Sequence, residues 1–303
     1  MGPLSVAWGR RRALLVPAVL LAATSVGAGC GGSEGASGPV TGSDDPVVED
    51  PGPVHVHGLG VDPRDGALFI ATHTGLFRAP DGERQARRVA GRYQDTMAFT
   101  VIGPNRFLGS GHPDGRERLP PFLGLIESRD AGRSWKPTSL QGRVDFHLLE
   151  VAGRRVYGFG SDFQTRKPRF MVSENRGRAW SDREIPEPFI SLAVDPDDDQ
   201  RLIASGASGL FLSPDAGVTW RPLQGAAGLV AWPRSDRLYL AEQNGAVSVS
   251  AGGGRGWQAV GQLGGAPSAF DLGRGTQLLA ALHDGTVKRS SDGGMTWSVR
   301  SRP

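Results

Sequence analysis

The chain has 303 residues, of which 45 are glycine and 22 proline, while 21% are charged and 38% hydrophobic. Backbone breakers at that density exclude a mostly helical protein, and the apolar fraction, gathered in short regular runs, excludes a mostly disordered one. A lone cysteine, Cys30, excludes internal disulfides and CxxC zinc sites, and the formal charge of +3 at first invites a nucleic-acid partner.

In chain order, Arg10, Arg11 and Arg12 precede an uncharged run from Ala13 to Val26, and the small residues Gly27, Ala28 and Gly29 lead into Cys30. A helix over that run spans about 21 Å, short of the roughly 30 Å hydrocarbon core, so the segment predicts an export signal rather than a membrane span. Val26 to Cys30 resembles the bacterial lipobox, which implies a lipoprotein signal peptide over 1–29 and a lipidated Cys30 holding the protein on the extracytoplasmic face of the cell membrane. A plain secretory leader is the alternative. Arg11 to Leu15 is also weakly similar to a twin-arginine signal. The three arginines belong to the leader and no acid does, so its removal leaves side-chain charge balanced and takes the nucleic-acid reading with it. Residues 30–54, rich in Gly, Ser, Pro and Asp, predict a flexible tether, and 55–303 the folded domain.

An octapeptide recurs through that domain: Ser128 to Trp135 with Asp130, Ser213 to Trp220 with Asp215, and Ser290 to Trp297 with Asp292. Two altered copies fill the gaps, Ser173 to Trp180 with Asn175, and Ser250 to Trp257 with Gly252 at the acidic position. The tryptophans are 45, 40, 37 and 40 residues apart. The pattern S-x-D-x-G-x-[ST]-W resembles the Asp-box, or BNR repeat, of sialidases, sortilin-type receptors and related β-propellers. Its physics is that of a hairpin turn, with the acid accepting backbone N–H groups, glycine supplying positive φ, and tryptophan anchoring the turn on the sheet. Asp130, Trp135, Asn175, Trp180, Asp215, Trp220, Trp257, Asp292 and Trp297 are accordingly structural.

Two strand-like runs precede each copy, the second aligning as Leu68 to His73, Phe107 to His112, Val156 to Ser161, Leu202 to Ala207, Leu238 to Gln243 and Leu278 to His283. Six units of about forty residues predict an all-β fold, a six-bladed β-propeller, with a seven-bladed ring as the alternative.

In such a blade the start of the first strand and the end of the second share one face, where all six histidines fall. His73, His112 and His283 end second strands. His57, Met97 and His147 begin first strands, preceded two residues earlier by His55, Asp95 and Asp145. Blades six, one, two and three are ring neighbours, so these residues converge on one sector of the channel mouth. Imidazole, carboxylate and thioether suit a transition metal: zinc for the histidines, copper if Met97 contributes. The leading expectation is therefore a cell-surface lipoprotein that binds a metal ion, or a small or peptidic ligand, without catalysis of its own.

Resemblance to sialidases and to exported proteins labelled glycosyl hydrolases implies the alternative, an exo-α-sialidase-like glycoside hydrolase acting on cell-wall or host glycans through Asp95, Asp145 and Asp162. The family's arginine-isoleucine-proline signature is missing, and Tyr157 and Tyr239 fall at core positions of second strands, leaving only Tyr93 on the right face. A protein-interaction scaffold is the third expectation, since fold alone does not carry function. Long segments after His112, Pro113 to Pro121, and from Asp162 to Pro168 lie on the histidine face and predict a binding rim.

Overall fold

The computed structural model describes residues 52–303; the expected leader, Cys30 and the tether up to residue 51 lie outside them. Six four-stranded antiparallel sheets follow one another along the chain. Their first strands are β1 (Val56–Val61), β5 (Asp95–Gly103), β9 (Val144–Ala152), β13 (Phe189–Asp195), β17 (Leu229–Arg234) and β21 (Pro267–Leu272). Each packs on the first strand of the next blade, and β21 returns to β1, so the six form a closed ring around a channel. This is the six-bladed β-propeller that the forty-residue period predicts.

Second strands β2 (Leu68–Thr72), β6 (Arg106–His112), β10 (Arg155–Asp162), β14 (Asp198–Gly206), β18 (Arg237–Ala241) and β22 (Leu278–Leu282) each hold a run of at least four buried residues, because they lie inside each sheet with neighbouring blades on both faces. Their alternating residues serve two cores. Leu68 and Ile70 pack toward blade six, while Phe69 and Ala71 pack toward blade two. Tyr157 and Tyr239 are buried in this layer, as their alignment predicts.

The octapeptide turns repeat one hydrogen-bond pattern. Asp130 Oδ1 accepts from Ser134 N–H at 2.9 Å, its Oδ2 from Ser134 Oγ at 2.6 Å, and Ser128 Oγ accepts from Gly132 N–H at 2.8 Å. Asp215 and Asp292 repeat it with Thr219 and Thr296. The turn glycines sit at positive φ, and a methyl group on Gly177 would collide with Leu125 of the preceding blade. Trp180 Nε1 donates to Ser139 Oγ of that blade at 2.9 Å, so this turn is also a clamp between blades.

Ring closure joins the outer edge of blade six to blade one. Arg300, 8% exposed, donates to the carbonyl oxygens of Ala79, Pro80 and Glu83. Gln85 bridges to Arg302 in parallel register. Gly52 lies against Pro303, a Cβ there coming within 3.9 Å of the Pro303 carbonyl carbon. Gly52 O also accepts from Thr74 Oγ1 at 3.1 Å, so Gly52, inside the segment expected as tether, is in contact with blade one.

First strands border the channel and have no partner strand on that side, which leaves edge N–H groups to satisfy. Side chains of the preceding blade accept several of them: Ser110 Oγ from Phe146, Ser191 Oγ from Val230 and Asp271 Oδ2 from Leu59, the last at 3.3 Å.

Candidate functional site

Five of the six first strands carry a bulge near their start, where the second strand advances one residue and the first strand two. The extra residues are His57, Met97, His147, Ile190 and Ser268. A bulge re-aims a side chain out of the sheet's alternation. Of these, His57, His147, Ile190 and Ser268 line the cavity of about 80 Å³ at the channel mouth.

His57, His73 and Asp95 come together there, with one donor atom from each within 4.8 Å of the other two. His73 Nδ1 lies 3.0 Å from Asp95 Oδ1. The His57 and His73 rings meet edge to face at 4.3 Å between centroids, with His55 beside His73 at 5.5 Å. His57 Nε2 and Asp95 Oδ1 are buried and lack hydrogen-bond partners, so the close His73 approach is not an aligned hydrogen bond. An orphaned buried polar atom costs about 1–3 kcal/mol. Both atoms belong to residues of the three-donor group, which fits a site that a cation completes.

The electrostatics separate two halves. Burial, then His73, His147 and His55, push the His57 imidazole down to about 4, so it is a neutral donor at physiological pH. Burial raises the Asp95 carboxyl, with His73 pulling the other way. In the second half, Asp145 Oδ2 lies 3.0 Å from His147 Nε2 and 3.4 Å from His112 Nε2. Burial raises Asp145, but the two imidazoles outweigh it and hold the carboxyl below its usual range. His112 is pushed up to about 9, chiefly by Asp145, while its Nδ1 donates to Pro121 O at 2.8 Å. His112 is thus an imidazolium at neutral pH that joins Asp145 to the long loop of blade two.

The remaining expected residues fall as follows. Met97 is half-buried at its bulge. His55 is exposed, at a φ of 54°. His283 is exposed in the turn after β22, and its backbone N–H donates to Ala266 O. Asp162 is used by its own turn: its oxygens accept from Gln164, Thr165 and Arg169, which leaves little of it for acid–base work. Tyr93, 47% exposed, lies under the Arg88 guanidinium at 3.9 Å.

Two carboxylates deeper in the channel escaped the sequence reading. Glu150 of β9 and Asp271 of β21, from opposite blades, line both this cavity and the one opening on the other face. Burial, opposed by N–H groups of Leu59 and Leu272, moves Asp271 up to about 7, and burial with the nearby Asp271 charge raises Glu150 well above its usual range. Their signal lay in the aligned first strands, where Gly60, Thr100 and Ala193 stand at the equivalent position.

No family model matches the chain, and no curated protein does. Solved structures do. A chain of a nidogen/laminin complex is 12% identical, with a TM-score of 0.59 over 78% of this chain and 93% of that one. XC5397 of Xanthomonas campestris, described as a gluconolactonase, is 15% identical, with a TM-score of 0.57 over 74% and 82%. AFV00434, described as an ancestral GH74 enzyme, is 15% identical, with a TM-score of 0.54 over 83% of this chain, which spans only 39% of that enzyme. Those proteins have different functions in common architecture, and at such identities the likeness is one of fold: this chain is a β-propeller.

Proposed function

We propose that the protein is an exported lipoprotein, anchored at Cys30 on the extracytoplasmic face of the cell membrane, whose propeller belongs to the Asp-box group and binds a divalent transition metal at the channel mouth without catalysis of its own. The observation that carries the metal reading is the convergence of His57, His73 and Asp95, with His57 Nε2 buried and without a hydrogen-bond partner. Two imidazoles and a carboxylate suit zinc or copper(II), and zinc is the first ion to test. Tetrahedral bonds of about 2.1 Å place ligand atoms about 3.4 Å apart, so the group closes on an ion with side-chain shifts of about 1.5 Å or less. Asp145, with His112 and His147, borders the centre and supports it as outer partners do.

The test is metal analysis and thermal unfolding of the purified protein. Zinc at a hundred times its dissociation constant stabilises by about 2.7 kcal/mol, or roughly 5–11 °C for a domain of this size. His57→Ala with His73→Ala abolishes that rise. A protein that takes up no stoichiometric zinc or copper, and melts at the same temperature with and without them, overturns the reading.

A further inference from the structure

Three clefts between neighbouring blades are lined by arginines, and none of them includes a residue of the histidine mouth. Between blades one and two, a cleft of about 480 Å³ holds Arg78, Arg87 and Arg88 of blade one and Arg133 from the octapeptide turn of blade two, against a single acid, Glu83. Between blades two and three, a cleft of about 530 Å³ is lined by Arg106 and Arg129 of blade two and by Arg176 and Arg178 from the turn of blade three, against Glu127. Between blades six and one, a cleft of about 470 Å³ is lined by Arg289 and Arg300 of blade six and Arg84 of blade one, against Asp81. The clefts follow one another around the ring. Asp81 and Arg84 face the first of them in ring order, and Glu83 and Arg87, from the same stretch of blade one, face the next. Arg133 and Arg129 belong to one octapeptide turn and line the second and third. A single turn therefore separates each cleft from its neighbour.

Most of this positive charge is unmatched. Glu127 is shared between Arg106 at 2.7 Å and Arg129 at 3.1 Å, Arg78 pairs with Asp65 at 2.6 Å, and Asp81 lies 3.6 Å from Arg274. Arg84, Arg87, Arg133, Arg176, Arg178 and Arg289 have no ion-pair partner among the described residues, and all of these except Arg289 are exposed. On the other side of the ring the balance reverses. Residues 189–262, which form blades four and five, hold seven acids against five bases, and Arg201, Arg234 and the neighbouring Arg155 are paired with Asp195, Asp236 and Asp199. The surplus is thus local to the three clefts and not the spread of a basic protein.

We propose that this arc binds a linear polymer of phosphate groups, laid across the turns of blades one and two from one cleft to the next. Guanidinium forks bind phosphate oxygens in paired, charge-assisted hydrogen bonds. A phosphate within a chain offers non-bridging oxygens at tetrahedral angles, so arginines on both walls of a cleft hold it together, whereas one fork fills a planar carboxylate. Three clefts in succession suit a repeating anion better than a single small one, because each further phosphate bound is an intramolecular event. No aromatic residue lines any of the three, so nucleobases find nothing there to stack on, which favours a phosphate polymer without bases over a single-stranded nucleic acid.

The experiment uses the full purified protein with EDTA present, so that no metal at the histidine mouth holds phosphate, and measures binding of long-chain inorganic polyphosphate, triphosphate and a single-stranded oligodeoxynucleotide by calorimetry. Counted per phosphate, polyphosphate is expected to bind at least about tenfold more tightly than triphosphate, and to weaken at least about tenfold between roughly 50 and 200 mM salt. Arg87→Gln with Arg133→Gln, and Arg176→Gln with Arg178→Gln, each weaken polyphosphate about tenfold, and all four together bring it to the triphosphate value. All four side chains are exposed, so the melting temperature stays that of the parent. Arg234→Gln with Arg237→Gln, on blade five, leaves binding unchanged. Equal affinity per phosphate for triphosphate and polyphosphate overturns the polymer and leaves separate anion sites. Undiminished polyphosphate binding in the fourfold variant overturns the assigned clefts, as does an equal loss in the blade-five variant. An oligonucleotide that binds more tightly than polyphosphate of the same charge overturns the choice of ligand in favour of nucleic acid.

Discussion

Asp271 gives the sharpest test of the channel's electrostatics. Its carboxyl is moved from 3.8 up to about 7, mainly by burial, so the folded state holds this proton more tightly than the unfolded chain does. The sign follows directly. The group costs nothing below about pH 4, where it is neutral in both states, and its penalty grows as pH rises through 4 to 7 and is complete above that. At 1.36 kcal/mol per pH unit the full displacement corresponds to about 4 kcal/mol, and water in the half-open channel screens part of it, leaving about 1–3 kcal/mol. Asp271→Asn removes the charge and retains one oxygen for the Leu59 or Leu272 N–H. Differential scanning calorimetry from pH 4 to 8.5 should show the variant gaining on the parent as pH rises, by roughly 2–10 °C between the ends of the range. A constant offset between the two melting curves reports the lost acceptor, and only the pH-dependent part reports the charge. Glu150→Gln should flatten the parent's own pH dependence, because the two acids titrate as a pair. A variant whose difference from the parent is the same at pH 4.5 and pH 8 refutes the argument, as does one that loses ground on going alkaline.

Three further outcomes are expected. Gly177→Ala combines a positive φ of 79° with a clash with Leu125 of the neighbouring blade, and should cost about 3 kcal/mol in urea unfolding, against about 1 kcal/mol for Gly153→Ala, which shares the positive φ, at 61°, but whose Cβ meets nothing. Arg300→Leu strips three blade-one carbonyls of their donor and should cost about 2–4 kcal/mol, with faster hydrogen exchange in the edge strands of blades one and six. His112 should titrate near pH 9 by NMR and move back toward 6.5 in Asp145→Asn; its contribution to stability is present below pH 6.5 and disappears as pH rises through 9.

The ring was legible because its signals are local and repeated. A turn needs the same acid, glycine and tryptophan wherever it occurs, and even its variation is coherent. Where Asn175 replaces the acid, Ala179 replaces the hydroxyl that the second carboxylate oxygen would accept from, while Ala179 N–H still donates to Asn175 Oδ1 at 2.8 Å. The face holding His57, His73, Asp95, Asp145 and His147 followed from period-two alignment. What alignment did not carry was the bulge that turns His57 and His147 into the mouth, since an extra residue shows only against its partner strand. Nor did it separate donor from support: whether Asp145 meets His112 or Asp95 meets His73 depends on sub-ångström placement across blades. The channel acids were missed because Glu150 sits in a strand whose other residues fit the expected pattern, and its burial comes from the opposite side of the ring.

Gly52 and Pro303 meet at the seam between blades one and six. Every blade is built from one uninterrupted stretch of chain, so no sheet is stitched from the two extremities. The ring consequently has no privileged first blade, and the order in which the blades are encoded is a cyclic label rather than a structural hierarchy. A rearranged gene that joins residue 303 to residue 52 through a short linker and opens the long loop of blade two would encode the same circle of contacts. Because that opening lies between His112 and Asp145, such a permutant would place these two paired residues of the histidine mouth toward opposite ends of the polypeptide while leaving them side by side in space.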